Sequence, residues 1–98
     1  MQKKGAPKEF YFLRDENNHL LTNVEHRVKR HSPSGLEIGY GGSGPADTAY
    51  NILLYFLPEE EVEDYYQDFK RDVICDLENG NILYSKDIEK WIKEKRRQ

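Results

Sequence analysis

Leu36-Glu37-Ile38-Gly39-Tyr40-Gly41-Gly42-Ser43-Gly44-Pro45-Ala46 changes character twice. Leu36, Ile38 and Tyr40 alternate with other residues, which is the period of a half-buried strand. Four glycines then fall between Gly39 and Gly44. Pro45 suits the first helical position, where its missing N–H is no loss. Asp47 would follow in the first turn, beside the positive helix end. Ala46, Ala49, Tyr50, Leu53 and Phe56 or Leu57 recur at helical spacing. The middle of the chain thus predicts a strand over 36–40, a glycine loop and a helix, in that order.

Upstream, the sequence reads as β. Met1 to Pro7 is basic, polar and interrupted by glycine and proline, which predicts a disordered leader over 1–7. Glu9 to Arg14 is aromatic and β-prone. Asp15-Glu16-Asn17-Asn18 has the side chains of a tight turn, so His19 to Thr22 should return as the second strand of a hairpin. His26 to Arg30 is at best an edge strand, its cations discouraging edge pairing. Ser32-Pro33-Ser34-Gly35 reads as a turn.

Downstream it reads as helical. Pro58 restarts the chain and places Glu59, Glu60 and Glu61 in a new first turn. Val62, Tyr65, Tyr66, Phe69, Val73 and Leu77 form an apolar stripe, and Gly80 supplies a left-handed stop. Asn81 to Tyr84 is a short strand or extended link. Ser85 is suited to cap a last helix, with Ile88, Trp91 and Ile92 inward and cations at its C-terminal end. The expected fold class is therefore α+β: one domain over 8–98, with a small, three-stranded, mainly antiparallel sheet packed against three helices. Each helix has one apolar stripe, so all three should cover one sheet face.

Composition limits what such a domain can be. The chain has 98 residues, 15 Lys+Arg and 18 Asp+Glu, a net charge of −3. That length accommodates one hydrophobic core. Apolar residues make up 37% and charged residues 34%, but 12% aromatics argues for a folded, aromatic-rich core. No apolar run is long enough for a membrane span, no signal-peptide pattern is visible, and the lone Cys75 fits a reducing cytoplasm. The charge is unevenly spread: residues 1–31 carry net +3, 32–68 carry −8 with no cation, and 69–98 carry +2.

No catalytic set is visible. Gly39 to Gly44 fits GxGxxG literally, but the surrounding βαβ unit is missing, and no lysine completes a P-loop. The glycines Gly41, Gly42 and Gly44, with Ser43, could still cradle an anion on backbone N–H groups; equally, they could let a helix pack closely on its neighbours. His19, His26 and His31 read as solvated rather than as metal ligands, even with Glu37 nearby. Cys75 reads as a half-buried thiol. Tyr50, Tyr55, Tyr65 and Tyr66 are core or interface residues, and an exposed aromatic patch over 50–66 would favour a homodimer. No cofactor or metal is expected. Nucleic acid is disfavoured because the acidic centre interrupts any basic track.

His31-Ser32-Pro33-Ser34-Gly35-Leu36-Glu37-Ile38-Gly39-Tyr40-Gly41-Gly42-Ser43-Gly44-Pro45-Ala46 resembles the hallmark HSPTGFEWGYGGSGPA of an uncharacterised small-domain family of bacteria, phages and mobile elements. Tyr66 to Arg71 is similar to that family's YQDFKRE. Leu83, Ile88 and Trp91 sit near its closing tryptophan pattern. Leu36 and Ile38 replace its usual aromatics, and Asn81-Ile82-Leu83 lacks a common tryptophan. The resemblance covers residues 27–92 and brings no catalytic residue with it. It implies a context in which small proteins act by binding a host protein, CRISPR–Cas inhibitors being one class, often through an acidic face. The expectation is a non-enzymatic anti-defence protein of the host bacterial cytoplasm, most concretely an anti-CRISPR. Its contact surface would be Glu59, Glu60, Glu61, Glu63 and Asp64, with Tyr40 near the edge. The alternative is an anion- or nucleotide-binding module built on residues 41–44.

Overall fold

A computed structural model describes residues 5–31 and 35–98. It is a three-stranded antiparallel sheet with three helices. Strand β1 (Glu9–Arg14) is central, flanked by β2 (Leu20–Thr22) and β3 (Ile82–Tyr84). Phe10 and Phe12 point inward and are fully buried, while Glu9, Tyr11 and Leu13 point out. The hairpin pairs Leu13 with Leu21 and Arg14 with Leu20. Its turn works as its residues suggest. Asp15 Oδ1 accepts from the N–H groups of Asn17 at 2.9 Å and His19 at 2.8 Å, and Asn18 takes a left-handed φ of 66°.

The third strand is not 36–40. That stretch has no ladder, and neither does 26–30. The second edge of β1 is taken by Ile82–Tyr84, which pairs Glu9 with Tyr84 and Tyr11 with Ile82. Gly80, at φ +93°, turns the chain onto that edge and donates its N–H to Phe12 O at 2.7 Å. Of the leader, residues 1–4 lie outside the described residues; Pro7 accepts a hydrogen bond from the Ser85 hydroxyl. The turn at 32–34 also lies outside them. Ser85 does not cap its helix from outside but is the first residue within it.

Helix α1 (Ser43–Leu53) begins two residues before Pro45, which takes the third helical position. The first four N–H groups of a helix have no internal partner, so proline is tolerated there too. The earlier start also moves Asp47 out of the first turn. Every residue of α1 from Gly44 to Leu53 is buried, including Asp47, Thr48 and Asn51. It is the central helix of the domain. Helix α2 (Glu59–Asp72) follows a short turn and packs Tyr66 edge-on against Tyr50, ring centroids 5.0 Å apart. The α2 pattern does not run on to Leu77: the backbone breaks at Val73, and Ile74–Asp76 forms a 3₁₀ turn that buries Ile74. Helix α3 (Ser85–Arg96) buries Ile88 and Ile92 and sets Trp91 edge-on to Phe69 at 4.9 Å. The aromatic residues of the α1–α2 turn, Tyr55 and Phe56, meet Phe10 on the inner sheet face. No helix among the described residues is long and apolar enough to cross a membrane.

Candidate functional site

Residues 23–31 and 35–42 form no helix or ladder and run beside the buried helix. Their backbone cannot bond to water wherever it is covered, so it must find partners in the protein. Three side chains of α1 supply them. Asn51 Oδ1 accepts from Arg27 N at 2.8 Å and Val28 N at 2.9 Å, and its Nδ2 donates to Val28 O at 2.8 Å. Asp47 Oδ1 accepts from His31 N at 2.8 Å. Thr48 Oγ1 donates to Glu37 O at 2.6 Å and accepts from Glu37 N at 3.0 Å. Positions 47, 48 and 51 share a helix face, so this face acts as a substitute strand edge. Residues 26–30 and 36–40 form no ladder; Arg27 N and both polar groups of Val28 and of Glu37 bond to this face instead.

The same face revises the histidines. His19 is exposed, as expected, but His26 is only 18% exposed and sets Nε2 at 3.5 Å from Asp47 Oδ2. That nitrogen is buried and makes no aligned hydrogen bond. His31 stacks on Tyr66 and shares a 2.7 Å hydrogen bond between its Nε2 and the Tyr66 hydroxyl. His26 is therefore not a solvated side chain, whereas His31 is exposed and anchored at the Tyr66 hydroxyl. Among the described residues no group of three His, Cys, Asp or Glu could hold a metal ion. Cys75 is half-buried, with its thiol donating to Arg71 O.

Around this core sits a polar cluster that joins α1, α2 and the loop. The buried Tyr50 hydroxyl lies 2.7 Å from Glu59 Oε2 and 2.9 Å from Glu63 Oε2, sharing its one proton between them. Burial, and then these two carboxylates, push the phenol above its ordinary pKa. Arg30 Nη1 meets Glu63 Oε2 at 2.6 Å and holds its guanidinium over the rings of Tyr50 and Tyr66. Charge on Glu63 is thereby offset by a cation from the loop.

The five predicted acidic contact residues therefore divide. Glu59 and Glu63 hold Tyr50. Glu61 is bound by Arg96 through two parallel bonds of 2.7 and 3.0 Å, which ties α2 to α3. Glu60 and Asp64 are exposed and have no ionic or hydrogen-bond partner among the described residues. Glu59, Glu60, Glu63 and Asp64 nevertheless share one exposed side of α2, at i, i+1, i+4 and i+5. Tyr40 does not join them. Lys70 Nζ donates to Gly41 O at 3.2 Å, so the glycine loop lies at the other end of α2, roughly 10 Å along the helix axis.

Close packing accounts for two of the loop's glycines, Gly42 and Gly44. A Cβ on Gly42 would lie 2.4 Å from Tyr40 Cε2, and one on Gly44 2.6 Å from Glu37 Cβ. Gly39 has a φ of +88° and donates its N–H to Ile74 O at 3.1 Å. The ring of Tyr40 thus occupies the space above Gly42 that missing side chains leave open. Gly41 and Ser43 remain exposed. The tyrosines over 50–66 form no exposed aromatic patch: Tyr50, Tyr55 and Tyr66 are buried, and Tyr65 is half-buried.

These features define a small α+β domain whose central helix uses polar side chains to hold a long loop. The chain belongs to the family of unknown function DUF6166, whose model matches residues 5–94. No curated protein and no solved structure matches the chain.

Proposed function

We propose that the protein is a non-enzymatic binding module that inhibits a host defence system by protein–protein contact, most concretely as an anti-CRISPR encoded by a phage or mobile element and acting in the bacterial cytoplasm. One observation carries this reading: Glu60 and Asp64 stand without a partner among the described residues, on α2 beside the exposed Glu59 and Glu63. Like charges at i and i+4 each cost a helix about 0.2–0.5 kcal/mol. Only the first turn recovers this from the helix dipole, and Asp64 lies beyond it. A basic partner surface, such as a nucleic-acid channel, would relieve that repulsion and gain two unencumbered carboxylates. The helix carrying them is fixed by Tyr50 from below and by the Glu61–Arg96 pair at its side, so little ordering is needed on binding.

The test is capture of CRISPR effectors by the full chain at low and moderate salt. Binding should weaken as salt rises and fall further on replacing Glu60 and Asp64 with lysine. Absence of binding to any effector, with no protection of phage in defended cells, overturns the reading. Glu63 is a poor choice for reversal, because it holds Tyr50 and Arg30.

A further inference from the structure

The hydrogen bonds of β1 fix which groups of β2 point outward. Phe12 N donates to Asn81 O at 3.1 Å and Phe12 O accepts from Gly80 N at 2.7 Å, both on the β3 side. Arg14 N donates to Asn79 Oδ1 at 2.8 Å on that same side. Phe12 is paired with Thr22 and Arg14 with Leu20. In an antiparallel ladder such pairs exchange no bonds, and each residue turns its polar groups away from the other. Leu20 and Thr22 therefore aim their N–H and C=O groups off the open edge of the sheet. None of these groups has a partner among the described residues. The stretches that read as strands, 26–30 and 36–40, do not supply one, because α1 holds Arg27, Val28 and Glu37 instead. A concavity of about 660 Å³ is left beside the edge, with Leu20, Leu21 and Thr22 of β2 and His26 and Leu36 of the loop among its walls. No Asp, Glu, Lys or Arg lines it.

We propose that β2 docks an extended, uncharged segment of a partner protein as a fourth, antiparallel strand, with apolar side chains at alternate positions. The edge itself specifies this occupant. Donors and acceptors two residues apart on one line are matched by another strand and not by a helix or a small molecule. Natural edges are guarded by charge, proline, a bulge or shortness. Of these β2 has only shortness, since Leu20-Leu21-Thr22 is uncharged and its register is regular. The side chains the guest needs follow from the same register. Thr22 lies opposite the inward Phe12, so partner residues facing Leu20 and Thr22 turn their side chains to the inner side, towards Leu36 and His26. The partner residue facing Leu21 turns outward, beside Leu21 and Leu13. A lining without charge favours apolar, β-branched side chains at the inner positions and disfavours a charged guest. The antiparallel direction continues the sheet and lets Leu20 and Thr22 each exchange both bonds with one partner residue. A second copy is the poorer occupant, because a concavity walled by His26 and Leu36 is not complementary to itself.

This edge shares no residue with the acidic side of α2, so the two proposals fail independently. The probe is an acetylated and amidated peptide of alternating valine and threonine with a lysine at each end. Titrated into the full chain up to about 2 mM, it should shift the backbone amide resonances of residues 20 and 22 in a saturable way and slow their hydrogen exchange. Valine amides then face the edge and threonine amides face solvent. N-methylation of the valines should weaken binding at least ~10-fold, and N-methylation of the threonines should leave it unchanged. Thr22→Pro removes one outward N–H at an edge position that tolerates proline, and should also weaken binding at least ~10-fold. The methylated peptides keep the test decisive if that variant does not fold. No shift at residues 20 and 22, or equal binding by both methylated peptides, would overturn the proposal. Protection of the same amides by raising the concentration of the chain alone would overturn it in favour of a second copy.

Discussion

Asn51 bonds both polar groups of Val28: its Oδ1 accepts from Val28 N at 2.9 Å and its Nδ2 donates to Val28 O at 2.8 Å. A primary amide has the same donor–acceptor pair as a peptide group. The side chain therefore imitates one rung of a β-ladder, and Asn51 itself is fully buried. Thr48 repeats the arrangement on Glu37. A helix interior disfavours both residue types, and here that local cost secures a long stretch of covered loop.

Asn51→Ala should consequently be among the most damaging substitutions in the chain. It leaves Val28 N and Val28 O without their partner and Arg27 N with Glu25 O alone, at about 1–3 kcal/mol per unsatisfied group less whatever water restores, for a net loss of about 2 kcal/mol or more. Asn51→Asp keeps the acceptor and loses the donor, and should fall between. Urea unfolding measures the loss, and amide exchange at residues 27 and 28 should accelerate in Asn51→Ala and less in Asn51→Asp, which keeps the acceptor for both amides.

The glycine loop offers a test of packing by rescue. Gly44→Ala drives a Cβ into Glu37 Cβ, costing about 1–3 kcal/mol, and Gly42→Ala drives one into the ring of the exposed Tyr40, costing less because that ring can turn towards solvent. Tyr40 is exposed and removable, whereas a Cβ cannot rotate away. Tyr40→Ala should therefore rescue Gly42→Ala but only weakly relieve Gly44→Ala. A double-mutant cycle on melting temperatures reads this coupling directly.

Tyr50 predicts an alkaline limit. Its folded pKa is raised above the unfolded value, so the stability it contributes is fully present below about pH 10 and is lost as pH rises through the raised value. Tyr50→Phe removes the hydroxyl that Glu59 and Glu63 share, and should cost about 1 kcal/mol at neutral pH. The gap between the two proteins in urea midpoint should then narrow above about pH 10.

Asp15 predicts an acid-side effect of the opposite sign. The N–H of His19, followed by that of Asn17, holds its carboxyl below the ordinary carboxylate value. A depressed folded pKa contributes stability that is present above the unfolded pKa and disappears as pH falls through the folded one. Asp15→Asn keeps an acceptor but no charge. It should melt lower than the parent chain at pH 7 and converge with it in acid, which a melting series from neutral to pH 2 would reveal.

On α2, Asp64→Lys should separate stability from binding. It replaces a like-charge pair with Glu60 by an attractive i,i+4 pair in the favourable order, worth about 0.3–0.5 kcal/mol. The variant should melt no lower than the parent chain while binding a basic partner less well. A variant that melts lower would mean Asp64 has a structural role in the fold.

Much of the fold was legible because it is written locally. The aromatic run at 9–14, the Asp15–Asn18 turn and the carboxylates after Pro58 specify a hairpin and the start of α2 through nearest neighbours. β3 was visible as a short strand or extended link but not as the partner of β1, because which strand occupies the second edge of β1 is settled between residues some seventy positions apart. Leu36, Ile38 and Tyr40 alternate as a strand should, yet Thr48 takes the Glu37 backbone before a ladder can form. The candidate site divides in the same way. Its acidic residues and glycines stood out as runs, while their roles did not, because Tyr50, Arg30 and Arg96 reach Glu59, Glu63 and Glu61 across the tertiary structure.

By itself, then, the sequence determined a single α+β domain with an acidic centre, since composition, periodicity and turn chemistry act over a few residues at a time. The tertiary structure alone decided that α1 lies at the centre with three polar side chains buried, that Glu60 and Asp64 are the two of the five acidic residues over 59–64 with no partner among the described residues, and that the apolar surface lies on the sheet. Each of these depends on which distant groups satisfy one another's hydrogen bonds and charges, and no local pattern records that.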